Sequence, residues 1–175
     1  MVTYPPMASH LETERLTLRP WSPSDAPALC ALHAERGTGT STLPYVQELI
    51  GAMLDRTTEN GIALLPVRLR GEGGGRTGTG EDELLGYCGI VVGRSSLEEP
   101  EIAYELFRHA HGKGYATEAA RAVLGAVART GRERLWATTR PENAPSLRVL
   151  DKLGFTHDRT TTDERGQVVW LRRKL

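Results

Sequence analysis

The sequence predicts an α/β (α+β) fold in which helices flank a mixed, mostly antiparallel sheet of about six to seven strands. Strand-like segments and amphipathic helical segments follow the order strand, two helices, three strands, helix, strand, helix, two strands. Turn residues rather than helices join the three consecutive strands, which favours antiparallel pairing among them.

The first half of the chain is expected to hold two strands and two helices. Residues 16–19 alternate apolar and polar side chains, as half-buried strands do. Serine, aspartate and proline residues within 21–27 are typical of a helix start, so we expect a helix over 26–35. Apolar residues recur at helical spacing over 45–57, and a strand is expected over 62–69.

Two more strands and a longer helix are expected after that. The glycine-rich run 71–80 predicts a mobile hairpin loop, because neither a Gly-Lys-Ser/Thr sequence nor a helix follows it. Strands are expected over 84–92 and 102–107. A helix over 115–129 carries its alanine, valine and leucine residues on one side, and Gly131 ends it.

The remaining residues predict one helix between strands. A strand is expected over 134–139, and a short helix over 145–153 that Gly154 stops. Residues 155–161 and 167–172 are expected to pair as a hairpin.

Length and composition predict a single domain over 11–175, preceded by a flexible N-terminal tail over 1–10. Lysine plus arginine equals aspartate plus glutamate at 22 each, so net charge gives no reason to expect a nucleic-acid or membrane partner. Cys30 and Cys88 lack metal-ligand spacing and are expected to be reduced core residues. With no membrane-length apolar run and no signal-peptide pattern, we expect a soluble cytoplasmic protein.

The most informative stretch is residues 109–118, where two glycines separated by one residue lie between a strand and a helix. Glycines let the backbone turn tightly and bring N–H groups close to an anion, which the helix dipole also favours. A dinucleotide-binding loop is the rival interpretation. It is disfavoured because the next strand ends in Thr138-Thr139-Arg140, without the acidic residue that such sites use.

A second motif narrows the interpretation. Residues 143–155, Asn-Ala-Pro-Ser followed by Lys-Leu-Gly-Phe, resemble the Asn-x-x-Ser/Ala and Lys-x-Gly-Phe segment of the GNAT superfamily of acyl-CoA-dependent N-acyltransferases. Residues 109–114 are similar to the pyrophosphate loop of the same superfamily. Residues 11–20 and 101–106 look like the branch that includes ribosomal-protein N-terminal acetyltransferases.

The resemblance implies a splayed sheet with acetyl-CoA as co-substrate. It assigns the pyrophosphate to backbone N–H groups of five consecutive residues, and the pantetheine arm to the backbone of Leu106 and Phe107 with Asn143 opposite. His109 stands where the family usually has glutamine or arginine, so its role is open. The five pyrophosphate-binding residues implied are Gly112, Lys113, Gly114, Tyr115 and Ala116.

The resemblance also implies two catalytic residues. Glu101 aligns with the glutamate thought to act as base in this branch, and Glu105 or a chain of waters is an alternative. Many members have a tyrosine acid where this chain has Leu150. In the ribosomal-protein branch a serine takes that role, and Ser146 is present at its position.

The resemblance therefore implies an N-acetyltransferase that moves an acetyl group from acetyl-CoA to a primary amine by direct attack in a ternary complex. A coenzyme A-binding sensor or scaffold without turnover is the alternative. The acceptor is a small-molecule amine or a protein N-terminus, with Tyr45 a candidate to line its pocket. No metal is expected, because His109 and His111 lack a third ligand nearby. Monomer and homodimer both stay open.

Overall fold

The computed structural model describes residues 4–37, 39–71 and 83–175. In this part of the chain, four α-helices pack on a sheet of eight strands. The strands are β1 (Leu11–Glu12), β2 (Leu16–Leu18), β3 (Leu64–Leu69), β4 (Leu84–Val91), β5 (Glu101–Leu106), β6 (Arg134–Thr139), β7 (Thr156–Asp163) and β8 (Gly166–Lys174). The helices are α1 (Ala26–Ala34), α2 (Leu43–Asn60), α3 (Tyr115–Ala128) and α4 (Ala144–Lys152).

The sheet is mostly antiparallel and opens at its centre. Its strand order is β1-β2-β3-β4-β5-β6-β8-β7, and β5–β6 is the one parallel pair among the described strands. These two strands meet at the register pair Glu101 and Trp136, and the Trp136 N–H donates to Pro100 O at 2.9 Å. The strands separate beyond this point, so the backbone of β5 that faces β6 is left for another partner.

The predicted fold class and the predicted order of elements are confirmed. The sheet has eight strands rather than six or seven, because Leu11 and Glu12 pair with Leu18 and Thr17 as a short edge strand. Two residues are too few for a hydrophobic period, so the pattern carried no sign of this strand. The predicted loop at 71–80 lies outside the described residues except for Gly71.

The sheet carries a hydrophobic core on each face. On β4, Tyr87 packs toward the cluster of α1 and α2, while its neighbour Cys88 is fully buried in the cluster that contains α3. Successive residues of a strand point to opposite faces, which explains this division. Met7, in the segment predicted as a tail, is buried in the α3 cluster, and its N–H donates to Gly61 O at 2.9 Å.

A buried carboxylate anchors the start of α1. Asp25 is 1% exposed and pairs with the guanidinium groups of Arg68 and Arg19. It also accepts the Ser22 N–H at 2.8 Å in a capping box. These contacts fix α1 against β3. None of the helices in the described ranges has the length and apolar character needed to cross a bilayer.

Candidate active site

The N-terminus of α3 is open toward solvent. Gly112 and Gly114 have φ angles of +73° and +82°, a left-handed conformation that glycine adopts without strain. Gly114 is the N-cap, and no side chain of the described residues caps this end. The first intrahelical bond runs from Glu118 N–H to Gly114 O at 3.0 Å. The N–H groups of Tyr115 and Ala116 therefore have no intrahelical partner and can bind an anion.

Glu118 and Arg15 hold this glycine loop in place. The Glu118 carboxylate accepts the Thr13 hydroxyl at 2.6 Å, the Arg15 N–H at 2.9 Å and the Arg15 Nε at 2.7 Å. Arg15 Nη1 donates in turn to Lys113 O at 3.0 Å. Burial opposes ionisation of Glu118, but the hydrogen bonds from Thr13 and Arg15 outweigh it and lower its pKa.

A groove of about 420 Å³ runs from the glycine loop between β5 and α4. It brings together residues from both predicted motifs, although they lie far apart in the sequence. Predicted site residues that line it are Leu106, Gly112, Gly114, Tyr115, Ala116, Asn143 and Ser146. Glu101, Phe107, His109 and Lys113 do not line it.

The backbone of Leu106 faces the groove and that of Phe107 does not. Phe107 N–H donates to Leu85 O at 2.9 Å within the sheet, and Phe107 O accepts the Ala110 N–H at 2.9 Å. The predicted pairing of Phe107 with a pantetheine arm is therefore corrected, because successive strand residues direct their backbone groups to opposite neighbours. Leu106 O accepts a hydrogen bond from Nε2 of the His111 ring, 2.9 Å away.

The His109 side chain turns away from the groove. Its ring stacks on Phe107 with the centroids 5.4 Å apart, and its Nε2 lies 2.8 Å from Glu83 Oε1. Both partners lie outside the groove lining, and the role of His109 in cofactor binding stays a prediction.

Ser146 lies beside a tyrosine hydroxyl within the groove. Tyr104 Oη is 2.9 Å from Ser146 Oγ and 3.2 Å from Ser146 O. Burial raises the pKa of Tyr104 to about 12, against a lowering effect of the Ser146 hydrogen bond, so the phenol is protonated at neutral pH. The N-cap Asn143 accepts the Ser146 N–H at 3.2 Å and fixes the start of α4.

Glu101 is buried and its carboxylate is occupied. It is 5% exposed, accepts the Arg94 N–H, and accepts the Thr138 hydroxyl at 2.8 Å. A Cβ at Gly93 would come within 2.6 Å of its Oε1, so the turn before β5 wraps closely around this carboxylate. These contacts give Glu101 a structural role, and its predicted role as base stays a prediction.

Glu105 is paired instead of free. Arg36 Nε donates to its Oε1 at 2.8 Å, and the Tyr87 hydroxyl donates to its Oε2 at 2.6 Å. Burial opposes ionisation of Glu105, but these two donors outweigh it and lower its pKa. A carboxylate held in this way is a weak proton acceptor.

Four cationic side chains line the groove: Arg36, Arg108, Arg148 and Lys152. Arg148 and Lys152 are exposed one helical turn apart on α4, and that four-residue spacing is visible in the sequence. Arg108 Nη2 donates to Glu35 O at 2.7 Å. No group of three or more potential metal ligands occurs among the residues that the structure describes.

A second cavity of about 680 Å³ lies under α1 and α2, against β4. Tyr45, which the sequence suggested for an acceptor pocket, lines it. Arg36 lines both this cavity and the groove, so the two spaces border each other at the Arg36–Glu105 pair.

Comparison with known proteins identifies a family. Residues 15–156 match the family model described as the acetyltransferase (GNAT) domain. The uncharacterized N-acetyltransferase p20 of Bacillus licheniformis is 28% identical over 153 residues, which cover 83% of this chain and 81% of that protein. The uncharacterized N-acetyltransferase YnaD of Bacillus subtilis is 29% identical over 157 residues, 85% of this chain and 84% of that protein.

Solved structures share the fold over almost the whole chain. A GNAT-family acetyltransferase from Bordetella pertussis superposes with a TM-score of 0.79 at 24% identity, covering 95% of this chain and 99% of that one. An acetyltransferase from Agrobacterium tumefaciens has a TM-score of 0.73 at 29% identity, with coverages of 95% and 94%. RimL, a ribosomal alpha-N-protein acetyltransferase in complex with coenzyme A, has a TM-score of 0.76 at 15% identity, with coverages of 95% and 98%.

Proposed function

The chain belongs to the GNAT family of acetyltransferases, and we propose that it transfers the acetyl group of acetyl-CoA to a primary amine by direct attack in a ternary complex. The observation that carries this proposal is the groove. One end of it is an uncapped helix N-terminus with two left-handed glycines, and its wall is the edge of β5 where β5 and β6 separate.

The groove has the chemistry to hold acetyl-CoA. In the proposal, the backbone N–H groups from Gly112 to Ala116 bind the pyrophosphate, where dipole and unpaired donors coincide. Arg148 and Lys152 supply positive charge for phosphate oxygens. The backbone of Leu106 and the side chain of Asn143 contact the pantetheine arm. The coenzyme A bound to RimL, a protein of the same fold, supports this choice of donor.

The reaction requires a neutral amine as the nucleophile, and the leaving thiolate must be protonated. Attack of the amine nitrogen on the thioester carbonyl produces an oxyanion, which a backbone N–H of the separated strand can stabilise. We assign Ser146 as the acid that protonates the thiolate. The 2.9 Å contact with Tyr104 supports this, because the protonated phenol can return a proton to Ser146 Oγ.

The acceptor is proposed to be a small-molecule amine or a protein N-terminus. The fold neighbour that acetylates a ribosomal protein N-terminus favours the second class, since the chain shares that fold over 95% of its length. The cavity under α1 and α2 has room for a side chain or a small molecule next to the groove.

A screen of amines tests the proposal. Purified protein is mixed with acetyl-CoA and N-terminal peptides, amino sugars or polyamines, and thiol release is followed while mass spectrometry identifies the acetylated product. Thiol release above the hydrolysis background with an acetylated amine supports the proposal. Binding of acetyl-CoA without release for every amine would leave a binding protein in its place, and absence of binding would remove the groove assignment.

A further inference from the structure

In the proposed function, on which this inference rests, the acceptor amine must lose a proton before it attacks. Alkyl ammonium groups are mostly protonated near neutral pH and cannot attack a thioester. A base within reach of the amine is therefore needed. The two glutamates that the sequence suggested are engaged elsewhere: Glu101 with Arg94 and Thr138, and Glu105 with Arg36 and Tyr87.

His33 is a third titratable group that could act as this base. It lies in the last turn of α1 and its side chain forms part of the wall of the second cavity. The residue is 8% exposed, and its Nδ1 lies 3.0 Å from Ser41 Oγ. Among the described residues Nε2 has no hydrogen-bond partner, and it is not one of the fully buried atoms that lack one. When Nδ1–H donates to Ser41, the lone pair of Nε2 is available to the cavity.

Burial and the neighbouring Arg36 charge favour the neutral imidazole of His33. Burial and the charge of Arg36 lower the pKa of His33 below its ordinary 6.5, and Glu105 opposes them with a smaller raising effect. Tyr87 on β4 also stays protonated, because burial and Glu105 raise its pKa. The other titratable groups that face the cavity all come from α2: Tyr45, Arg56 and Glu59.

We propose that His33 is the base that takes a proton from the acceptor ammonium group in the second cavity. Its position beside Arg36, which borders the groove as well, brings it near the strand along which the thioester would lie. Neither glutamate combines an available lone pair with a place on the cavity wall.

The protons and bonds of the step balance. One ammonium proton passes to His33 Nε2 and then to water, and the freed lone pair forms the C–N bond. The C–S bond then breaks, Ser146 Oγ–H protonates the thiolate, and the second nitrogen proton is lost to restore Ser146 through Tyr104 or water. The products are an amide, free coenzyme A thiol and one proton released.

The test compares kcat/KM against pH for wild type, His33→Asn and His157→Asn, using the best amine of the screen. Asparagine places an N–H near the position of Nδ1, so it keeps the bond to Ser41 and removes Nε2. His157 is exposed on β7 and lines neither cavity, so His157→Asn is the matched control. Thermal unfolding of all three proteins reports folding.

Wild type and His157→Asn should show a plateau around pH 7 that falls only below pH 6.5, as the imidazole becomes protonated. His33→Asn should lose about a hundredfold at pH 7. Its activity should then rise about tenfold per pH unit toward the pKa of the amine, because only amine that is already neutral can react. A profile of wild-type shape for His33→Asn, or a loss equal at every pH, would overturn the proposal.

A second measurement, on wild type, tests the proposal even if the His33→Asn variant does not fold. NMR titration of the His33 ring in wild type with acetyl-CoA bound should give a pKa equal to that of the acidic limb of kcat/KM. Two different values would remove His33 as the base while leaving the acetyltransferase assignment intact. If wild type acetylates no amine in the screen, the proposed function and the role of His33 fall together.

Discussion

Replacing Gly114 with valine should weaken acetyl-CoA binding strongly and leave the protein folded. Gly114 has a φ of +82° at the N-cap of α3, where a β-branched residue is strained. A Cβ here would lie 3.4 Å from Arg15 Nη2 and meet nothing closer, so packing does not forbid the side chain. The added methyl groups would lie among the backbone N–H groups that the proposal assigns to the pyrophosphate.

The magnitudes separate folding from binding. A left-handed conformation costs an L-residue about 1–2 kcal/mol, a small part of the roughly 5–15 kcal/mol by which domains are stable. A hydrogen bond to a charged group contributes about 1.5–3 kcal/mol. Losing one or two such bonds at the pyrophosphate therefore costs about 2–5 kcal/mol, which weakens binding at least about thirtyfold.

Gly131→Val is the matched control. Gly131 follows the other end of the same helix with a φ of +80° and is exposed. A Cβ placed on it would have no non-neighbouring atom of the described residues within 4 Å. Both variants should lose similar stability in urea unfolding, whereas calorimetric titration with acetyl-CoA should show weakened binding for Gly114→Val alone. Equal affinity of the two variants would refute the pyrophosphate assignment.

Three further predictions concern Ser146 as the acid, Glu101 as a structural carboxylate or a base, and Asp25 as the anchor of α1. Ser146→Ala should lower kcat about a hundredfold with little change in the KM for acetyl-CoA, and Tyr104→Phe should lower it less; an unchanged kcat for Ser146→Ala would remove it as the acid. Glu101→Gln should cost about 1.5–3 kcal/mol of stability and slow the reaction equally at all pH values, because Glu101 holds the turn before β5. Recovery of activity at high pH would instead identify Glu101 as the base. Asp25→Ala should lower the free energy of unfolding in urea by about 3–5 kcal/mol, whereas Asp55→Ala, at an exposed position, should lower it by less than about 0.5 kcal/mol. Similar values for both variants would show that the buried ion pairs do not anchor α1.

Local signals predicted the glycine loop, and non-local contacts decided the rest of the site. Gly112 and Gly114 could be identified because a left-handed turn before a helix has its own sequence pattern. The contact between Tyr104 and Ser146 joins residues 42 positions apart, and that between Arg36 and Glu105 joins residues 69 positions apart. No periodicity or spacing encodes such pairs, because they depend on how α4 and α1 pack on β5.

The dependence on non-local contacts also explains the correction for Phe107 and the direction of the His109 side chain. His109 lies within the predicted motif and Phe107 two residues before it, but the direction of a backbone or side-chain group depends on the strand register. Gly86 on β4 pairs with Leu106 on β5. This register directs the Phe107 N–H to Leu85 and leaves the backbone of Leu106 facing the groove. A shift by one residue would exchange the two, and the sequence of the loop alone does not determine it.

Strand β5 gives the proposed chemistry its direction. Tyr104 and Glu105 are consecutive, so their side chains lie on opposite faces of the sheet. Tyr104 contacts Ser146 on the face of α4, while Glu105 holds Arg36 beside His33 on the face of α1. A thioester along this strand would have the proton donor for its sulfur on one side and the proton acceptor for the amine on the other. The amine proton then passes to His33 and water on one face, while Ser146 protonates the thiolate on the other.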